Sequence, residues 1–352
     1  MLQARKQAAE RDTPVAPWEK LDAVEEYREL CRVRLEHRIE VREPLVLISQ
    51  IQRAGGTLLS QLFDGHPECH ADPFELKIGY PKKHHWPPLE LDRPASWFEM
   101  LFNSGSLERL RPTARTRRPD AGRSIFPCLF LPRLQKEIFD ACVEARPPAS
   151  ERDVLDCYFT SYFNAWLDNH NLYTGPKKVV TGFTPRLAME WANLERFFAA
   201  YPEGRLISIV RDPRAWYVSA ARHKPEHYAD VDTALGLWRA STEAAIAAWD
   251  RYGERALVLT YEQLVRDPEA TMTEVAARIG ITMSPELCRP TFNGLPIRAN
   301  SSGSVESYGI LSERASAYRD TLDAETGERI VEVAGDLYER AAGVAVAASR
   351  SG

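Results

Sequence analysis

The sequence is short of several things, and each shortage narrows the field. Its 352 residues hold only six cysteines, and no two form a C-x-x-C pair, which argues against a structural zinc site. No run approaches the roughly 20 apolar residues of a membrane-spanning helix, so no transmembrane segment is expected. The opening residues, MLQARKQAAERD, lack the apolar core of an export signal. With scattered thiols, this sets the expectation of a reduced, cytoplasmic protein. Positive charge is not in excess either. Lys and Arg number 45 against 50 Asp and Glu, a formal net charge of −5, which speaks against a polycation that coats nucleic acid. Any anion site must be a local cluster of cations. The remaining composition, 44% hydrophobic and 27% charged, is that of an ordinary folded protein.

Along the chain, residues 1–17 have no period, and a helical pattern runs from Trp18 to Val41. Leu45-Val46-Leu47-Ile48 reads as a strand buried on both faces. It breaks at Arg53-Ala54-Gly55-Gly56-Thr57, and Leu58, Leu59, Leu62 and Phe63 then take up one helical face. Prolines punctuate 78–125, and six arginines crowd 109–123, so this stretch reads as an insertion with short helices and a basic loop. Helices are expected over about 130–145 and 151–168, the second capped by Ser150 with Asp153 at its third position. Val179-Val180 is a strand, and Thr184-Pro185 should cap a helix that runs to Pro202. Leu206–Val210 is a further strand, followed by a helix from Pro213 and another over 231–252. Leu257-Val258-Leu259, then helices over 268–279 and 323–341, complete the pattern, and the last residues are expected to fray. Alternating strands and helices predict an α/β fold with a parallel central sheet flanked by helices.

Two features carry chemistry. The first is the glycine loop between a buried strand and a helix. Free backbone N–H groups and the helix dipole favour an anion there, with Arg53 adding charge and Thr57 a hydroxyl. The Walker pattern G-x-x-x-x-G-K-[ST] is absent, because Gly56 is followed by Thr57 rather than Lys. The second is Arg211-Asp212-Pro213-Arg214, with Ser219 eight residues beyond Arg211. Arg211 closes a strand at the end where open α/β sheets bind ligands, and Ser219 lies two helical turns on.

Together these resemble the signature pair of the sulfotransferases that use 3′-phosphoadenosine-5′-phosphosulfate, most of all the bacterial and Golgi-type branch with its R-S-G-[ST]-T-L-L loop. Ala54 and Gly56 depart from that loop. Thr184-Pro185-Arg186 with Tyr201-Pro202 resembles the family's K-T-P-R…F-P segment, and Asn300-Ser301-Ser302 with Ala317-Tyr318-Arg319-Asp320 its C-terminal loop. The resemblance implies the nucleotide-kinase-like P-loop fold, with residues 44–341 as one domain interrupted by an insertion at 78–175. A tail and helix (1–43) would precede it and a frayed end (342–352) follow. By the same resemblance Arg53, Ala54, Gly55, Gly56, Thr57 and Leu58 cradle the 5′-phosphosulfate, Arg211 and Ser219 take the 3′-phosphate, and Ser301, Ser302 and Arg319 close over the nucleotide. The product would be 3′,5′-bisphosphoadenosine, and no metal is implied.

In-line transfer to an acceptor needs a base and cations or N–H groups to offset developing charge. Glu75 is the expected base, by resemblance to the same branch, and Arg53 the expected stabiliser of the leaving group. His84 and His85 are rival bases, with Asp72 and His70 weaker ones, and His66 reads as a helix-terminal residue. Where the family's K-T-P-R motif has lysine this chain has Phe183, so Lys177, Lys178 or Arg186 are candidates to replace it. The implied acceptor is a small molecule or glycan, first of all a carbohydrate or glycolipid hydroxyl. Two other readings stand beside this one: a non-catalytic nucleotide-binding or interaction protein that kept the fold, and an ATP-dependent kinase, against which the missing Walker lysine counts.

Overall fold

The computed structural model describes residues 23–76, 78, 85–102, 128–297 and 307–350. Two compact units divide the chain, one up to Ile39 and one from Glu40 onward. In the first, α1 (Ala23–Glu36) occupies the middle of the predicted helical stretch, with Glu25 and Glu26 in its first turn and Arg34 in its last, each favourable to the helix dipole.

The second unit is built on five parallel strands. In chain order they come with β1 (Leu45–Ile48), α2 (Gly56–Phe63), β2 (Cys69–Glu75), α3 (Pro94–Leu101), α4 (Pro132–Ala145), α5 (Glu151–Ala165), β3 (Val179–Phe183), α6 (Trp191–Ala200), β4 (Arg205–Val210), α7 (Pro213–His223), the single-turn α8 (Pro225–Tyr228), α9 (Val231–Tyr252), β5 (Ala256–Thr260), α10 (Tyr261–Arg266), α11 (Pro268–Ile279), a two-stranded hairpin of β6 (Thr291–Phe292) and β7 (Leu295–Pro296), and α12 (Ala324–Arg350). The sheet order is β2-β3-β1-β4-β5. Every neighbouring pair is parallel. Helices therefore cover both faces, which is why β1, β3 and β5 are buried along their whole length and β1 reads as an unbroken apolar run. Topologically the chain leaves β1 toward β2 and β3 on one side, then crosses to β4 and β5 on the other. The crevice at the carboxyl ends of β1 and β4 is thus the switch point, where such sheets bind ligands.

One local expectation is met for the expected reason. Ser150 caps α5, accepting from Asp153 N at 3.2 Å while its own Oγ donates to Asp153 Oδ2 at 2.7 Å. Asp212 caps α7 by accepting from Arg214 N at 2.9 Å. The Thr184 cap is a correction. Thr184 Oγ1 donates instead to Leu76 O at 2.6 Å, Arg186 turns left-handed at φ 67°, and α6 starts only at Trp191 after a short 3-10 turn. The hydroxyl joins β3 to the end of β2, and with the helix starting only at Trp191 no helical N–H lies at the positions it would cap. The chain end is a second correction, because α12 runs to Arg350 rather than stopping at 341, and Ala341 and Ala345 are buried. Helix α10 was not foreseen. It is held by a reciprocal capping box between Thr260 and Gln263, a pattern present in the sequence. Among the described residues no helix is long and apolar enough to cross a membrane.

Candidate functional site

Between β1 and α2 the backbone makes a tight reversal. Arg53 adopts φ 72° and Gly55 φ 120°. For arginine a left-handed φ stores strain of about 1 kcal/mol or more, a device that clusters at ligand sites. At Gly55 no other residue fits: besides its φ, an added Cβ would lie 2.7 Å from Tyr261 Cδ2 and 3.0 Å from Ile209 Cδ1. Gly55 and Gly56 lead into α2 with no side-chain cap on the helix, so its first N–H groups are left for a ligand.

The loop is braced from below. Trp216 Nε1 donates to Gln52 O at 2.9 Å and Trp238 Nε1 to Arg211 O at 2.9 Å. Ile51 N donates to Ser241 Oγ at 2.9 Å. Both tryptophans are fully buried. Trp238 and Ser241, one turn apart on α9, thus hold the ends of both anion motifs.

The two motifs meet. Arg53 Nε donates to Ser219 Oγ at 3.2 Å, and Arg211 Nη1 donates to Arg53 O at 3.2 Å. Arg211 also donates to Arg314 O at 2.9 Å, and its guanidinium lies over the Tyr261 ring, 4.3 Å from the centroid. Arg53, Arg211, Ser219, Arg222, Tyr261 and Arg314 line one cavity of about 70 Å³, and its lining contains no carboxylate. Burial and then the charge of Arg211 hold the Arg53 pKa below its usual value. Four guanidinium groups thus line a cavity whose own walls carry no carboxylate. Its volume is well under the roughly 300 Å³ of a small-molecule pocket, so it suits a tetrahedral oxyanion group rather than a whole ligand. Two further atoms fit that conclusion: Arg211 Nε and Arg314 Nε are buried without a partner, donors that an anion could satisfy.

The remaining predicted residues divide. Ala54 is buried at 1% exposure and contributes backbone alone, and Thr57 and Leu58 are half-buried on the first turn of α2. Arg319 is not brought into the arginine cavity. It lines a neighbouring one of about 300 Å³ with Arg214, Glu262, Arg266 and Tyr338. There burial raises the Glu262 pKa, while its carboxylate accepts from Tyr338 and from Asp212 N. Ser301, Ser302, His84 and the arginines of 109–123 lie outside the described residues. Lys177 and Lys178 are ruled out as stand-ins for the missing lysine. They precede β3, so five or six extended steps of about 3.3 Å, roughly 16–20 Å, separate them from the Phe183 end. Lys177 is spent on carbonyls of Pro67, Asn171 and Thr174. Arg186 is at the correct end, yet it braces the loop through Gln52 Oε1 and Tyr228 OH. Arg222, Tyr261 and Arg314 were missed. Tyr261 and Arg314 come from α10 and from a 3-10 turn far along the chain, with no spacing relation to the two motifs.

Glu75 closes β2, opposite Phe183, past a register shift that begins after Ala71. Such a bulge re-aims side chains. Phe183 in turn is opposite Ile48 of β1, so Glu75 sits two strands, about 10 Å, from the end of β1. Its described rivals are otherwise engaged. Asp72 is 3% exposed and accepts from Tyr162 OH at 3.2 Å. His85 pairs with Glu190 at 3.0 Å. His66 sits beyond the carboxyl end of α2, its Nε2 2.9 Å from Thr282 O.

His70 is 2% exposed, and burial drives its pKa down to about 3. Its Nε2 lies 3.8 Å from Glu43 Oε2, outside hydrogen-bond reach. A neutral, enclosed imidazole is no base for a ligand, but it makes stability pH-dependent. Below pH 6.5 the unfolded chain binds a proton here that the folded chain refuses until about pH 3. This contribution is therefore present above pH 6.5 and lost on acidification. Denaturant titrations should show the parent's stability, relative to His70→Gln, falling by about 2 kcal/mol between roughly pH 7 and pH 5. Parallel profiles would refute the assignment.

The sequence profile of the sulfotransferase family matches residues 44–285. The chain belongs to that family, and its fold is a five-stranded parallel sheet with flanking helices. No curated protein matches the sequence. Among solved structures, the sulfotransferase domain from the curacin biosynthetic pathway is 18% identical, with 82% of this chain and 96% of that one covered and a TM-score of 0.46. The sulfotransferase domain of the Synechococcus PCC 7002 olefin synthase is 16% identical over 86% and 98%, with a TM-score of 0.48. Retinol dehydratase, solved with androsterone and the inactive cofactor PAP, is 14% identical over 87% and 85%, with a TM-score of 0.36.

Proposed function

We propose that this sulfotransferase takes its sulfuryl group from 3′-phosphoadenosine-5′-phosphosulfate and passes it to an acceptor hydroxyl, with a carbohydrate or glycolipid as the first candidate. The observation that carries the reading is the acid-free cluster of Arg53, Arg211, Arg222 and Arg314 with Ser219, beside the uncapped amino end of α2. Arg211 and Ser219, on the β4 side, are assigned the 3′-phosphate. Arg53, Thr57 and the backbone of 54–58 are assigned the phosphosulfate. The nucleotide supplies the activated sulfuryl group. Glu75 takes the acceptor's proton, which raises the nucleophilicity of the attacking oxygen. Arg53 and the α2 N–H groups offset the negative charge that gathers on the departing phosphate. Residues 44–341 are taken as one catalytic domain carrying the 78–175 insertion.

One observation favours a second reading, that of a nucleotide-binding protein without turnover. Phe183, where a lysine would steady the leaving group, is 3% exposed and packed in the core. Calorimetry with 3′,5′-bisphosphoadenosine, then incubation of a labelled donor with fractionated extract, separates the two. Micromolar or tighter binding, corresponding to about −8 kcal/mol, together with label on an acceptor is expected. Binding without transfer over a wide acceptor range would support the second reading, and no binding would defeat both.

A further inference from the structure

Gln50 stands two residues beyond the end of β1. It is 3% exposed, and neither its Oε1 nor its Nε2 has a hydrogen-bond partner. An amide buried in this state is costly unless something completes it. Its backbone is fixed, since Gln50 O accepts from Arg186 N at 3.0 Å and Ile51 N is held by Ser241. Only the side chain has a choice of partner.

That side chain lies against the first residue of α2. A Cβ on Gly56 would collide with Gln50 Nε2, and it would stand 2.5 Å and 2.6 Å from Cε2 and Cζ of Phe183. The amide thus lies against the first residue of the uncapped helix. The other polar side chains at this junction are committed: Ser49 Oγ to Thr184 O at 2.7 Å, Thr184 Oγ1 to Leu76 O at 2.6 Å, and Gln52 Oε1 to Arg186. Phe183 has nothing to donate. Sheet order also sets the side. Phe183 on β3 and Glu75 on β2 flank one side of β1, while Arg211 follows β4 on the other.

We propose that the Gln50 carboxamide donates through Nε2–H to an oxygen of the sulfuryl end of the bound phosphosulfate at the amino end of α2. The inference rests on the nucleotide reading above and names a residue that neither sequence motif contains. Rotation about the last side-chain torsion, which is broad for glutamine, turns the amide toward the helix end. Because the contact is to the sulfuryl end, it distinguishes the phosphosulfate from the bisphosphate product.

The test is Gln50→Leu, which keeps the volume and removes the donor. By calorimetry its affinity for 3′,5′-bisphosphoadenosine should stay within about twofold of the parent's, while that for the phosphosulfate falls roughly 10- to 100-fold, the worth of one hydrogen bond to a charged group. The ligand-free variant should melt at a higher temperature than the parent, because an unpartnered amide has been replaced by an apolar group of similar shape. A glutamine with only a structural role would leave the ratio of the two affinities unmoved. If the parent binds both nucleotides and the variant keeps the parent's ratio, this inference falls and the reading of the site stands. If the parent binds neither, both fall. Gln50→Met repeats the measurement should the leucine variant not fold.

Discussion

Arg211→Ala should bind 3′,5′-bisphosphoadenosine about 30-fold to several thousand-fold more weakly than the parent, the range expected when one partner of a buried, charge-assisted contact is truncated. The size follows from what the guanidinium does. It faces the acid-free cavity and donates to the carbonyls of Arg53 and Arg314. It also stacks over Tyr261. Removing it deletes a charge and loosens two other walls of the cavity. A nucleotide lacking the 3′-phosphate provides the control. The parent should discriminate strongly between the two nucleotides, and the variant should hold them almost equally. Retention of the parent's discrimination would place the 3′-phosphate elsewhere. The ligand-free variant is expected to remain folded, because losing Arg211 also relieves the repulsion it imposes on Arg53.

The second large effect falls on the chemical step. Glu75→Gln keeps the shape of the strand end and removes the base, so kcat should fall about 10²- to 10⁴-fold. Nucleotide affinity should be unchanged, since Glu75 is two strands away from the loop that follows β1. Undiminished turnover would reject Glu75 and direct attention to the residues of 77–84, which include the rival His84.

These two residues differ in how far the sequence alone could reach them. Arg211 and Ser219 were legible as a pair because the helix between them has a fixed rise, so an eight-residue interval sets Ser219 about two turns into α7, near enough for both to reach one anion. The glycine loop was legible because a strand feeding directly into a helix leaves N–H groups exposed whatever the rest of the fold does. Glu75 was visible only by resemblance, since a strand end with a register shift has no period to read. Arg314, Tyr261 and Gln50 were invisible. Their roles come from elements that are distant in the chain or, for Gln50, from the absence of any partner in a packed interior.

The sequence by itself determined the alternation of strands and helices, the parallel sheet, and the two places where an anion could sit. These depend on near-neighbour rules: apolar runs, caps, and glycines where the backbone must turn. Tertiary structure decided the rest. It brought the two anion loops onto adjacent strands, with Arg53 3.2 Å from Ser219, and it set Lys177 and Lys178 at the far end of β3. It committed Thr184 to Leu76 rather than to a helix cap. It left one buried amide without a partner beside Gly56. The physical reason is common to all four. Which polar group pairs with which is a matter of packing, and packing is settled only when strands far apart in the chain lie side by side.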